Sequence, residues 1–554
     1  MQNNQIIKIG ILIKELKKLR NFELRILDNI IQDPQIELKV LIFDGRKKDK
    51  GLLQKILKEI RSGTLFSKII QKVQEKIETK LFKVSDKLDK DSILKKLNEI
   101  PNVSMSPNRK GFSDIFDIED CKKIREYELD VLIRQEFNII KGQILNEPKF
   151  GIWSFHHADN NKNRGGPSCF WEVYNKEKYV GVTLQKLTPE LDGGEIIEKA
   201  YYNVEWSWIK TRNIVQESSV NILFKSLNKL KNGKFNTKKS SLYFYPLYKS
   251  PIFFIFLKYI VNFYIRLFNK IIIRISSSIF SIRYSHWAIV ISKGQFIHSV
   301  LHRLKPIKSP LNQFWADPFL IKNNNEHYVF FENYEYNKKK GKISCGKIVE
   351  DKLVNIVDVL EKPYHLSYPN VFYYGDNIFM IPETHENKRL EVYKCISFPE
   401  KWELYSTAFN GERIADCNFF VDKDNNNWLL LNKHEPSSVL HSDLYIYQVD
   451  SLKLNKVIPH DENPVIIDTR KARNAGPLFK HNDRVYRPSQ INIEGIYGRG
   501  ININEIEKLT LDEYKEKIVQ KCYPFFRKNL VGTHHIHQYD NTFVFDVCYK
   551  TRIL

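Results

Sequence analysis

Gly151-Ile-Trp-Ser-Phe-His-His-Ala-Asp159 is a short apolar run that breaks into polar, titratable residues. Read as a strand, it carries Ser154 and His156 toward its carboxyl end, the edge at which open parallel sheets place their sites. The sequence upstream supports that reading. Short β-branched runs alternate with amphipathic stretches, beginning with Ile6 to Ile13, Asn21 to Ile31 and Glu37 to Phe43. A further pair follows, a helical Cys121 to Glu128 and a strand-like Asp130 to Arg134. Strand, helix, strand order of this kind predicts an α/β domain with an open, mainly parallel sheet. Between them, residues 51–99 read as charged helices with Leu53, Ile56, Leu57 and Ile60 on one face. No GxGxxG or Walker loop follows the first strand, so neither a dinucleotide nor a nucleoside triphosphate cradle is supported.

Downstream of the decisive stretch come Arg164-Gly-Gly-Pro167, Gly181-Val-Thr-Leu184 and Leu191-Asp-Gly-Gly-Glu-Ile196. His156 has the residue type for a general base, because an imidazole titrates near neutral pH, and a carboxylate such as Asp192 would orient it and stabilise its charged form. The order of these residues resembles the formyltransferase family that uses a 10-formyltetrahydrofolate donor, including methionyl-tRNA and sugar-amine formyltransferases. That family has a strand ending in Asn-x-His, an Arg-Gly eight residues beyond the His, a Gly-Val-Thr strand and an Asp-x-Gly loop. The resemblance spans about residues 125–200. It implies His156 as base, Asp192 as its partner, His157, Arg164 and Gly165 in substrate binding, and 10-formyltetrahydrofolate as cofactor. Two departures stand out. Ser154 replaces the Asn whose amide stabilises the oxyanion, and Ala158-Asp-Asn-Asn161 replaces an apolar turn. Losing a well-placed oxyanion donor costs roughly 2.7 to 4 kcal/mol of transition-state stabilisation. Either Ser154 or His157 supplies the donor, or donor or acceptor has changed, or the site is inactive.

A second zone, residues 211–283, reads as a helix from Arg212 to Leu230, a Lys-rich turn and a strongly apolar Pro251 to Phe280. Lys258, Asn262, Arg266, Lys270 and Arg274 recur every four residues as one polar stripe on that apolar helix. No uninterrupted apolar run is long enough to span a bilayer. Two readings remain, a linker helix packed between domains and an interfacial helix on an anionic membrane surface.

The third zone repeats. Pro318 to Glu332, Asn370 to Glu383, Cys417 to Lys433, Gly476 to Arg487 and Thr533 to Phe545 share a strand, polar turn, strand pattern. Their turns centre near Asn324, Asp376, Asn425, Asn482 and Asp540, at steps of 52, 49, 57 and 58 residues. A period near fifty predicts an all-β five-bladed propeller. Trp315-Ala-Asp-Pro-Phe319, His365-Leu-Ser-Tyr-Pro369, Asp416 and Arg473-Asn-Ala-Gly476 carry a resemblance to the N-terminal domain of glucosamine inositolphosphorylceramide transferase, and a more distant one to five-bladed family-43-type glycosidases. In such propellers the first strand of each blade lines the centre, so Asp317, Asp416, Arg473 and His534 are expected to converge. The glycosidase resemblance implies Asp317 as a base; the plainer alternative is that Asp317 and Asp416 cap hairpins or pair with Arg473 and Arg487 between blades. His534, His535 and His537 have no carboxylate or Cys at a recognisable ligand spacing, so no metal is expected.

The whole chain of 554 residues has 87 Lys and Arg against 65 Asp and Glu, a net charge of +22. From Ser218 to Ala316, 99 residues, there is no acid and there are 16 basic residues. The excess is therefore local, and a chain-wide nucleic-acid surface is not indicated. Transfer RNA is not expected as acceptor either, because nothing resembles the family's tRNA-binding barrel. The amino terminus lacks a signal-peptide pattern and the seven cysteines form no CxxC pair, which predicts a cytoplasmic protein, peripheral to the inner face of a membrane if the basic helix rests there. The expected organisation is a formyltransferase-like domain over 1–210, a basic amphipathic helical linker over 211–283 and a propeller over 284–554. The expected substrate is an amino sugar or sugar nucleotide of surface-glycan synthesis, formylated at its amine; the alternative is a glycan-processing or glycan-binding protein acting through the propeller.

Overall fold

The computed structural model describes residues 6–46, 65–83, 88–190, 193–280, 282–434 and 441–553. Of the sequence expectations, the apolar face of Leu53, Ile56, Leu57 and Ile60 and the residue Asp192 lie outside the described residues. The chain divides into two compact units, Met1–Ile265 and Arg266–Leu554.

The first unit is built on a seven-stranded sheet. Its strands are β1 (Ile7–Ile13), β2 (Ile36–Asp44), β3 (Asn102–Met105), β4 (Val131–Arg134), β5 (Ile152–His156), β6 (Tyr179–Lys186) and β7 (Glu195–Asn203). They lie in the order β7-β6-β5-β4-β1-β2-β3. Pairing is parallel from β3 through β5, and β6 and β7 add antiparallel edges. The central strands are buried on both faces, hence their continuous Ile, Leu and Val runs.

Helices α1 (Asn21–Gln32), α2 (Leu65–Leu81), α3 (Lys90–Asn98), α4 (Ile118–Glu126), α5 (Phe170–Tyr174), α6 (Trp208–Lys231) and α7 (Phe253–Ile279) surround or follow it. Their starts are chemically marked. Asp117 accepts from the Asp120 amide at the head of α4, and Ser207 from the Lys210 amide at the head of α6. A core of Leu12, Val40, Ile42, Leu132 and Ile152 packs against Cys121 and Ile124 of α4. The segment expected to open the linker instead contributes α6 to the first unit, where it packs on β7 and α1. Because β1 sits between β2 and β4, the strand order reverses there, and the carboxyl ends of β1 and β4 are where open sheets of this kind place their ligands.

The second unit is all-β. Four antiparallel sheets cover 313–360, 367–408, 413–467 and 479–522, and a fifth pairs Ile282–Lys293 with Thr542–Ile553. The five polar turns fall between paired strands, with Asn324, Asn325, Gly375, Asn425, Asn482, Asp483 and Asp540 in the left-handed region that tight turns require.

Candidate functional site

In the first unit, Ser154 and His156 share one face of β5 and stand opposite Gln185 and Thr183 of β6. Ser154 is buried, and its Oγ accepts 2.9 Å from Arg134 Nε, the last residue of the neighbouring strand. Arg134 also donates to the carbonyls of Phe137 and Asn138. His156 Nε2 lies 2.7 Å from the carbonyl of Asn163. A carbonyl only accepts, so Nε2 carries a proton, and in the neutral ring Nδ1 is the basic nitrogen.

His157 points to the other face, stacked on Phe155 and edge-on to Phe22. Burial, followed by the charge of Arg20, pushes its pKa down to about 3. Its ring faces away from Ser154 and His156, so of the two expected oxyanion donors only Ser154 stands beside His156. Arg164 Nε donates 3.0 Å to the Asn160 carbonyl, and its guanidinium lies 4.4 Å from the Tyr243 ring centre. Gly165, at φ 108°, forms a bridge to Tyr248, and a Cβ there would sit 2.0 Å from the Tyr248 carbonyl oxygen. Both residues therefore brace the turn beyond β5. A Cβ on Gly194 would meet the Gln185 side chain at 3.2 Å, so the described end of the Asp192 loop lies on the face shared with Ser154.

Several buried polar atoms around this edge have no protein partner: both amide atoms of Gln135 and of Asn160, Oε1 of Gln185 and Oε2 of Glu172. Orphaned buried polar atoms are uncommon in folded proteins and mark places where a ligand or water completes the bonding. Burial raises the Glu172 carboxyl, which lines a cleft with Asn163, Trp171, Tyr179 and Tyr248. The sequence pattern did not single out Arg134, Gln135 or Glu172. Strand adjacency selects Arg134, which the register places beside Ser154.

In the second unit, three first strands carry the same defect. Asp317 (φ 49°), Tyr368 (φ 46°) and Asp416 (φ 44°) are left-handed non-glycine residues, each at a register shift in its hairpin. Such bulges re-aim side chains and store strain at functional sites. The first two are bonded directly, and Asp416 joins the centre through Arg473. Asp317 Oδ2 accepts from the Tyr368 amide, and Tyr368 Oη bonds Asn418 and the Gly476 amide. Gly476, at φ 129°, leaves only 1.8 Å between a Cβ and the Ile536 carbonyl oxygen.

Charge converges on this network. Arg473 Nε lies 2.5 Å from Asp416 Oδ2, and its Nη2 lies 3.2 Å from Glu383 Oε2. His385 Nδ1 is 2.7 Å from Glu383, His365 is 3.5 Å from Glu332, and His534 is 2.6 Å from Asp546 and 3.5 Å from Asp317. Burial pushes Asp317 up to about 6, against the charge of His534. Burial also raises Glu332 and Asp416 well above the carboxylate range. Glu383 moves the other way: against its burial, the bond from His385 and the charge of Arg473 hold it ionised. Asp546 and Asp317 raise the His534 imidazole in spite of its burial.

Asp317, Asp416, Arg473 and His534 are thus together, as the sequence predicts. Arg487 is elsewhere: fully buried, it pairs with Glu516 at 2.8 Å and donates to the carbonyls of Lys471 and Ala472. Local spacing offered His534 no acidic neighbour; the fold supplies two, with ligand-type atoms of Asp317, His534 and Asp546 within 4.8 Å of one another. Glu332, Glu383 and Asp546 were not predicted as site residues. The repeated Phe-Glu and Pro-Glu ends of the second hairpin strands were the available signal for the first two.

Residues 304–535 match the family model described as glucosamine inositolphosphorylceramide transferase 1, N-terminal. Among curated relatives, glucosamine inositolphosphorylceramide transferase 1 of Oryza sativa subsp. japonica is 32% identical over 212 residues, 37% of this chain and 28% of that protein. The chain thus spans less than a third of that relative's length. The N-terminal part is similar to formyltransferases: methionyl-tRNA formyltransferase of Lachnospira eligens is 27% identical over 136 residues, covering 23% of this chain and 43% of that protein. Among solved structures, glycinamide ribonucleotide transformylase 1 from Symbiobacterium toebii aligns at 17% identity and a TM-score of 0.29, covering 43% of this chain and 96% of that one.

Proposed function

We propose that the chain is an N-formyltransferase acting on the amine of an amino sugar or sugar nucleotide in surface-glycan synthesis. The observation that carries this is the pairing of His156 with Ser154 on one face of β5, each braced by a fixed neighbour, Asn163 and Arg134. Bound 10-formyltetrahydrofolate would supply the formyl group. The unpartnered amide of Gln135, at the strand-order switch, offers the donor and acceptor edge that a pterin ring matches. His156 Nδ1 would take the proton that the attacking amine sheds, with Asp192 as the proposed partner of the imidazolium, and would return it to the donor amine that leaves as its formyl C–N bond breaks. Ser154 Oγ, with a lone pair occupied by the cationic Arg134, keeps its own O–H free to donate and would stabilise negative charge building on the formyl oxygen. The test is incubation of the purified protein with 10-formyltetrahydrofolate and a panel of nucleotide-linked amino sugars, followed by mass spectrometry for the formamide. Failure of the protein to bind the folate would sink the reading.

A second reading rests on the other unit. Its five sheets are read as the blades of a five-bladed propeller, in which Asp317 and Asp416 of two first strands and Glu383 of a second strand come to one centre with their carboxyls pushed apart, Glu383 lowered, Asp416 raised and Asp317 up to about 6. Carboxyls held in different protonation states are what acid–base chemistry on a glycosidic bond requires. On this reading the second unit binds or processes the glycan. Loss of glycan-array binding in Asp317→Asn, with the fold intact, would support it; unchanged binding would count against it.

A further inference from the structure

Helix α2 and the first half of α7, through Ile265, lie side by side in the first unit. Ser67 and Gln71 of α2 bond the Pro251 carbonyl, the rings of Phe66 and Phe253 are 5.5 Å apart, and Tyr259 of α7 bonds the buried Glu78 at 2.7 Å. Each helix turns one face inward through these contacts. Each also leaves large apolar side chains in solvent: Phe66 (62% exposed), Ile69 and Val73 on α2, and Phe254 (73%), Leu257 and Val261 on α7.

The charge around this apolar surface has one sign. Lys72, Lys76 and Lys80 are exposed along α2, and Lys258 on α7. Of the acids on α2, Glu78 is buried and Glu75 pairs with Arg212 at 2.7 Å. Helix α7 lies inside the 99-residue stretch that contains no acid. A protein partner would need to be both apolar and acidic to match; an anionic bilayer has that composition intrinsically, with acyl chains beneath acidic head groups. No helix among the described residues is long and apolar enough to cross a membrane, so the surface would lie in the interface and not span it.

We propose that α2 and the part of α7 that belongs to the first unit, through Ile265, form a docking surface for an anionic lipid membrane. The exposed apolar side chains enter the acyl boundary, and the lysines meet the head groups. This inference does not depend on formyl transfer, and its readout is lipid partitioning instead of turnover.

The test is co-sedimentation of the full chain with phosphatidylcholine vesicles, with and without phosphatidylserine. Binding is expected only with the anionic lipid, and added salt should weaken it. Lys72→Gln/Lys76→Gln/Lys80→Gln should weaken it roughly 100-fold, from the usual contribution of a basic residue near such a surface. Ile69→Asn/Val73→Asn should abolish it, and because these side chains are exposed, circular dichroism and melting of both variants should match the parent. Absence of binding to phosphatidylserine vesicles at low salt would overturn the proposal, as would binding indifferent to the lysine substitutions. A dimer that Val73→Asn dissociates, without vesicle binding, would overturn it by assigning the face to a second copy of the chain.

Discussion

Arg473→Met is the most demanding test of the charged centre in the second unit. Arg473 is 7% exposed, lies 2.5 Å from Asp416 and 3.2 Å from Glu383, and has Gln490 beside it on the same Asp416 carboxylate. Methionine keeps most of the volume and removes the charge. Glu383 then retains only His385 as a close counter-charge, while Asp317, Glu332 and Asp416 remain buried around it. Removing one partner of a buried ion pair costs about 3–5 kcal/mol, because the other charge is stranded. The assay is urea unfolding read by hydrogen exchange of peptides covering 413–434 and 484–509, which reports the second unit alone. The pH dependence separates stranded charge from lost packing. Acids whose folded pKa is raised stabilise the fold fully below their unfolded pKa, and that contribution is lost as pH rises through the folded value, about 6 for Asp317. Without Arg473, Glu383 joins the raised group. The variant should therefore recover much of its deficit between pH 8 and pH 5, and the parent should change less. A penalty below about 1 kcal/mol, or one equal at both pH values, would refute the electrostatic reasoning.

Further outcomes follow from the first unit. His156→Asn should reduce formyl transfer by about 10²–10⁴-fold with folate binding retained, as measured by single-turnover kinetics and by fluorescence quenching. Arg134→Met should lower kcat more than it changes KM for the acceptor, because it acts through Ser154; an equal fall in Ser154→Ala/Arg134→Met and in Ser154→Ala alone would confirm that route. Tyr259→Phe removes a bond to buried Glu78 and one to the Trp208 amide at 2.9 Å, and should cost about 1–3 kcal/mol in thermal stability. Gly165→Ala places a methyl against the Tyr248 carbonyl at a positive φ, and increased proteolysis of the 157–167 turn is the expected result.

Much of the architecture was legible in the residues. The strand periodicity and the β5 motif were enough to predict a parallel α/β unit with His156 at its edge. The five turns between Asn324 and Asp540 marked the hairpins, because left-handed turn positions select Asn, Asp and Gly in any context. Arg487 was less legible: nothing local distinguishes an arginine that closes on Glu516 within its own sheet from Arg473, which reaches Asp416 and Glu383 on two others.

What the sequence alone determined is the set of local preferences: which segments are strands, where they turn, which strand ends in a histidine, and where 99 residues carry no acid. Only the tertiary structure decided which side chains meet. Arg134 reaches Ser154 because parallel pairing aligns the ends of β4 and β5. Asp317 meets Asp546 and His534 because the last strand returns to pair with the first one of its unit, Ile282–Lys293, across more than two hundred intervening residues. The physical reason is that ionisation in a buried cluster depends on distance and desolvation, and both are set by contacts remote along the chain, beyond the reach of local pattern.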